Sequence, residues 1–180
     1  MTLNRKIKIL HVTSTRYGIG GVEKLLLDMS DKYDFSRFDI SYCNLFCDKN
    51  GEGIFPTTLR QNGLQYFGLK ENRSGQIPQM IRSLSRLIKD EKFDIVHTHM
   101  LMGTIVGQLA ARWAGRVRKI LTRHYTSALV NHNFLVQKTD LWLTAKSDGV
   151  ISISDAVKKD MIASGIPEAT REHFPGTRPG

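Results

Sequence analysis

An α/β architecture, an open and mainly parallel sheet with helices on both faces, is predicted by three features of the sequence. Short apolar runs alternate with segments of helical periodicity along most of the chain. A glycine-rich turn joins the first of these runs to the first helix. Polar residues gather where successive strands end. Alternating strand and helix units impose right-handed crossovers and therefore a parallel sheet, here of Rossmann-like type.

Strands are predicted near 7–13, 38–46, 64–68, 94–99, 118–124 and 149–153. Helices are predicted near 21–33, 77–91, 102–114, 133–146 and 154–164. The helix at 77–91 is the clearest, because Ile77, Met80, Ile81, Leu84, Leu87 and Ile88 form one apolar stripe with Arg82, Arg86 and Lys89 off it. Ser154 is placed to cap the last helix, with Asp155 in its first turn. Gly165 and Pro167 stand where that helix should stop. Segment 47–63 reads as a loop with at most a short helix. Residues 1–167 make one domain, and 168–180, rich in Pro and Gly, an irregular tail.

Composition excludes several classes. The two cysteines, Cys43 and Cys47, are too few for a disulfide scaffold, which points to a reducing cytoplasm. They have no structural zinc spacing with any histidine. No run approaches the roughly 18 apolar residues of a spanning helix, and the basic N-terminus leads into a strand and not a signal core. The net charge of +9 attracts anions. Arg82, Arg86 and Lys89, then Arg112, Arg116, Arg118, Lys119 and Arg123, are candidates for contact with an anionic membrane, and read equally well as solvated faces. Few aromatics interleave with them, so nucleic acid is not an expected partner.

In a parallel sheet, ligands bind beyond the carboxyl ends of the strands. The first end leads into Gly18-Ile19-Gly20-Gly21-Val22-Glu23-Lys24. This spacing is neither a dinucleotide fingerprint nor a phosphate-binding P-loop. It reads either as a close packing turn or as a cradle of backbone amides for a phosphate. Arg16, just before it, could pair with a phosphate or an acidic acceptor. Glu23 sits in the first helical turn, as a dipole-stabilising carboxylate or as a ligand contact. His97 and His99 share a strand face, with no third ligand evident for a metal. His97 then reads as a satisfied buried group and His99 as a cleft residue. Arg123 and His124, being adjacent, should point to opposite faces.

Taken in order, these strand ends resemble one family. Lys8-Ile9-Leu10-His11-Val12, Gly20 to Met29, Asp94-Ile95-Val96-His97-Thr98-His99, Lys119 to His124 and Ser147 to Val157 are similar to the successive motifs of a family-four glycosyltransferase. The likeness covers roughly residues 6–167. It implies the N-terminal, acceptor-side half of a GT-B fold, and transfer of a sugar from a nucleotide-sugar to a saccharide or lipid-linked acceptor. Retention of anomeric configuration is the usual outcome, without cofactor or metal. As such an enzyme the chain is expected in the cytoplasm, with its basic faces as the means of peripheral contact with the inner face of the cytoplasmic membrane. Gly20 and Gly21 match the family's glycine turn, which faces the donor diphosphate. His124 matches the histidine beside the transferred sugar and is the leading catalytic candidate. Past Gly165-Ile166-Pro167 the family adds a short strand ending in Asn-Gly, whereas this chain continues Glu168-Ala169-Thr170-Arg171. The nucleotide-binding C-terminal domain is thus expected to be absent, as in a truncation, a frameshift or a cloned domain, and this chain inactive by itself. The competing expectation is a stand-alone module that binds a nucleotide, a phosphosugar or a protein without catalysis.

Overall fold

The computed structural model describes residues 5–15, 18–46, 53–69, 74–126 and 134–166. Arg16, Cys47 and the predicted tail lie outside the described residues. Six strands form one parallel sheet: β1 (Ile7–Thr13), β2 (Phe38–Asn44), β3 (Gln65–Gly68), β4 (Ile95–His99), β5 (Arg118–Arg123) and β6 (Gly149–Ser152). Their spatial order is β3-β2-β1-β4-β5-β6. The chain therefore reverses direction across the sheet between β1 and β4, which is the topological switch point. Register sets His11 beside His97 and Val12 beside Thr98.

The connecting helices are α1 (Gly21–Ser30), α2 (Ile54–Gln61), α3 (Ile77–Asp90), α4 (Leu101–Ala114), α5 (Phe134–Ala145) and α6 (Asp155–Ala163). The short α2 falls in the segment read from sequence as mostly loop. The helix α1 stops at Ser30, short of the predicted 33. Ser30 bonds back to the Leu27 carbonyl, so a side chain takes up an acceptor that a longer helix would have used, and Asp34 accepts from Ser36 in the turn that follows.

One core lies between the sheet and α3 and α4, where Leu10, Val12, Cys43, Val96, Met80, Leu84 and Val106 are buried together. All six residues of the predicted stripe on α3 pack here. Gly107 lets α4 approach, because a Cβ at that position would lie 2.5 Å from the Thr98 Cγ2. The opposite face is covered by α1 and α2 through Leu26, Phe55, Leu59, Ile40 and Tyr42. At the amino edge, Asp94 accepts from the Lys8 amide at 2.8 Å and pairs with Arg5, while Asp148 accepts from the Lys119 amide at 2.7 Å. Ser154 caps α6 by accepting from the Val157 amide at 3.3 Å, as its sequence position predicts.

Candidate functional site

The turn after β1 is built by its own helix. Glu23, the third residue of α1, reaches back so that its Oε2 accepts from the Gly20 amide at 3.1 Å. This is half of a capping box, with glycine where serine would stand. A Cβ on Gly20 would lie 2.9 Å from that same carboxylate oxygen, so a larger residue there would make the Glu23 side chain shift. The Gly20 amide, expected from sequence to face a phosphate, thus donates to Glu23 within its own turn. Space around Gly21 is open, with nothing within 4 Å of a Cβ there. The amides of Gly21 and Val22 have no acceptor four residues earlier within a helix that starts at Gly21. Glu23 is fully buried, and its Oε1 has no hydrogen-bond partner among the described residues.

Across the switch point, alternate residues of β1 and β4 direct imidazoles to the same face. His11 Nδ1 lies 3.1 Å from His99 Nε2. His99 Nδ1 lies 3.2 Å from His124 Nε2. Tyr33 closes the inner end, its hydroxyl 3.3 Å from His11 Nε2. His97 stands beside this row, 4.4 Å from His99 between ring centroids, and bonds Thr122 Oγ1 at 2.8 Å. The third imidazole that sequence reading did not find is therefore His11, and one nitrogen from each of His11, His97 and His99 lies within 4.8 Å of the others. That set has the nitrogen count of a metal site, but all three rings already hydrogen-bond to other side chains.

Burial decides the charge state of the row. It lowers His11 to about 4. It holds His97 and His99 well below the usual imidazole range, and each would further repel a charge on its neighbours. His124 is also lowered by burial, but the Glu23 carboxylate opposes the shift. The glycine turn and His124 are thus electrostatic neighbours on one rim of the sheet. His124 is only partly buried and forms the outer end of the row. His99, expected from sequence as a cleft residue, is 3% exposed and lies behind His124 in the row. Met100, directly after His99, takes φ +63°, a left-handed conformation unusual for a non-glycine residue, where β4 turns into α4.

A pocket of about 330 Å³ lined by Arg5, Lys89, Lys92, Asp94 and Arg116 lies at the amino edge. That is the wrong end of a parallel sheet for a substrate site.

Residues 19–175 match the sequence pattern of Glycosyltransferase Family 4. The chain belongs to this family. By family and fold it is a glycosyltransferase N-terminal domain. Over 121 residues, 61% of the chain, it is 35% identical to the Escherichia coli UDP-Gal:alpha-D-GlcNAc-diphosphoundecaprenol alpha-1,3-galactosyltransferase, and the match spans 28% of that enzyme. Its fold is similar to Anabaena Alr3699/HepE in complex with UDP-glucose, with a TM-score of 0.74 and 18% identity, covering 92% of this chain and 43% of that one. It is also similar to the UDP-GlcNAc 2-epimerase of Methanocaldococcus jannaschii, with a TM-score of 0.64 and 16% identity over 92% and 45% of the two chains. The last likeness shows that the sheet alone does not choose the reaction. The chain spans less than half the length of these proteins.

Proposed function

We propose that this rim is the acceptor-side wall of a retaining sugar-transfer cleft. The donor would be a UDP-sugar and the acceptor a saccharide on a lipid diphosphate, as in the Escherichia coli relative's name. The observation that carries the reading is the juxtaposition of the α1 N-terminus and His124 at the switch point, coupled through Glu23. In the reaction, the bond between the anomeric carbon and the diphosphate oxygen breaks and its electron pair leaves with the phosphate. The acceptor hydroxyl passes its proton to the departing diphosphate oxygen as its own oxygen bonds the anomeric carbon. The amides of Gly21 and Val22, at the positive end of α1, suit the charge that develops on the leaving phosphate. His124 suits a hydrogen bond to the transferred sugar. These backbone dipoles do the work a cation would otherwise do, so we propose transfer without a metal or other cofactor, by a complete enzyme that includes a second, nucleotide-binding domain.

The membrane part of the reading rests on α5. It begins at the same rim and exposes Phe134 and Leu135 by 67% and 71%, with Trp142 at 51%. Lys138 lies over the Phe134 ring at 4.3 Å and Arg112 over Trp142 at 5.1 Å. Apolar rings flanked by cations suit the headgroup layer of an anionic bilayer. No described helix is long and apolar enough to cross a membrane. Placement at the cytoplasmic face follows from this reading together with a nucleotide-sugar donor.

Calorimetry with UDP, UDP-galactose and a short polyprenyl-diphosphate GlcNAc tests the assignment. The acceptor analogue should bind this chain and perturb His124, with UDP alone binding weakly. Tight UDP binding with no acceptor binding would overturn the acceptor-side assignment.

A further inference from the structure

Tyr33, His11, His99 and His124 form an unbroken row of hydrogen bonds at 3.3, 3.1 and 3.2 Å. Both ring nitrogens of His11 and both of His99 are used inside it. A neutral imidazole has one N–H and one lone pair. Each link can therefore hold one proton, and only two arrangements satisfy every link. Either all N–H bonds point toward His124, or all point toward Tyr33. Any mixture sets two protons or two lone pairs against each other in a buried place, at the cost of an unsatisfied polar group.

The two arrangements present different chemistry at the rim. When the row points outward, His124 Nε2 accepts from His99, and its remaining proton is on Nδ1. His124 is then a neutral hydrogen-bond donor. When the row points inward, Nδ1 is a bare acceptor, suited to act as a base. The phenol end breaks the tie. A phenol O–H is a better donor than a neutral imidazole N–H, and an imidazole nitrogen a better acceptor than a phenol oxygen. The link between Tyr33 and His11 therefore favours O–H donating to Nε2.

We propose that Tyr33, by donating to His11, sets the direction of the row and holds His124 as its Nδ1–H tautomer, a hydrogen-bond donor toward the transferred sugar. Tyr33, His11 and His99 are positioning residues, acting only through His124. The sugar-facing role of His124 rests on the function proposed above; the tautomer assignment does not.

The test is a two-bond proton–nitrogen NMR correlation on the nitrogen-15-labelled 180-residue chain at neutral pH. The wild-type chain should show His124 protonated at Nδ1. In Tyr33→Phe, which keeps the ring and removes the donor, the Nδ1–H to Nε2–H ratio of His124 should fall about fivefold, the worth of one buried hydrogen bond. Unchanged His97 signals report that the variant is folded. A wild-type His124 protonated at Nε2 overturns the proposal without any variant. So does an unchanged ratio in Tyr33→Phe. So does uptake of one Zn²⁺ per chain that removes the protons between His11 and His99. Adding UDP-galactose and the acceptor analogue separates the two claims: if neither moves His124, the proposed function fails while the tautomer result stands.

Discussion

Arg123 and His124 are consecutive, yet they belong to two different kinds of interior. Arg123 points to the face packed by α5 and is 2% exposed. Its guanidinium pairs with Asp140 at 2.8 Å, bonds Thr144 at 3.3 Å and lies over the Tyr125 ring at 4.8 Å. Tyr125 in turn donates to the other Asp140 oxygen at 3.0 Å. This cluster is charged and closes on itself. The imidazole row on the other face is kept neutral by burial and ends at the rim. The contrast shows how a sheet can hold polar groups for two purposes. Charge is kept inside where it is neutralised on the spot, fastening α5 to β5. A neutral chain of titratable groups leaves its outer end available for chemistry.

The strongest way to break the comparison is to uncouple the closed cluster. Asp140→Ala leaves a buried guanidinium without its counter-charge and should cost about 3–5 kcal/mol in urea unfolding. Replacing the pair by Arg123→Met with Asp140→Leu should recover most of that loss, because the pair is worth little over packed apolar groups. A single-variant loss under about 1 kcal/mol would mean the cluster is not the fastening it looks like.

Acid attacks the other face. His11 has its pKa depressed from 6.5 to about 4 in the folded chain. The unfolded chain therefore takes up a proton at higher pH than the folded one. Stability from this group is fully present above pH 6.5 and is lost as the pH falls toward about 4. The loss from His11 alone is about 3 kcal/mol, and His97 and His99 act with the same sign. Urea midpoints measured across that window should fall steeply for the native chain and less for His11→Asn. Equal slopes would place the acid sensitivity elsewhere.

Much of this was open to sequence reading, and the misses have physical causes. Strand and helix periods gave the six strands, and period two put His97 and His99 on one face. It also set Arg123 against His124. The link to His11 was invisible along the chain because β1 and β4 become neighbours only through the crossover at the switch point. A signal existed: this strand order, applied to the sequence, brings the His11 end of β1 beside the His97 end of β4. The fate of the Gly20 amide was also written in the spacing, since a Glu three residues after an N-cap is the capping-box position. The pairing of Arg123 with Asp140 was not legible along the chain, because only the packing of α5 against β5 brings the two together.

A packing change can test how independent the two faces are. Gly107→Ala forces a methyl against Thr98, and the neighbouring Gln108 bonds Thr98, the Ile120 carbonyl and Ser147. Overpacking of this kind costs about 1–3 kcal/mol. The strain falls on the face that carries Arg123, so the NMR titration of His124 should not move. A moved titration would show that the faces communicate through β4.

The smallest expected energy change is the most direct probe of the proposed cleft. Glu23→Gln keeps an oxygen that can accept from the Gly20 amide, so the cap survives and stability should change by less than about 1 kcal/mol. What disappears is the negative charge that favours protonated His124. Burial then acts unopposed, and the His124 pKa should fall further below its already lowered value. The sign is what matters. A fall means the glycine turn and the imidazole row share one electrostatic environment, as a cleft wall built from both requires. No change, or a rise, would mean the two elements occupy the same rim without acting on the same ligand.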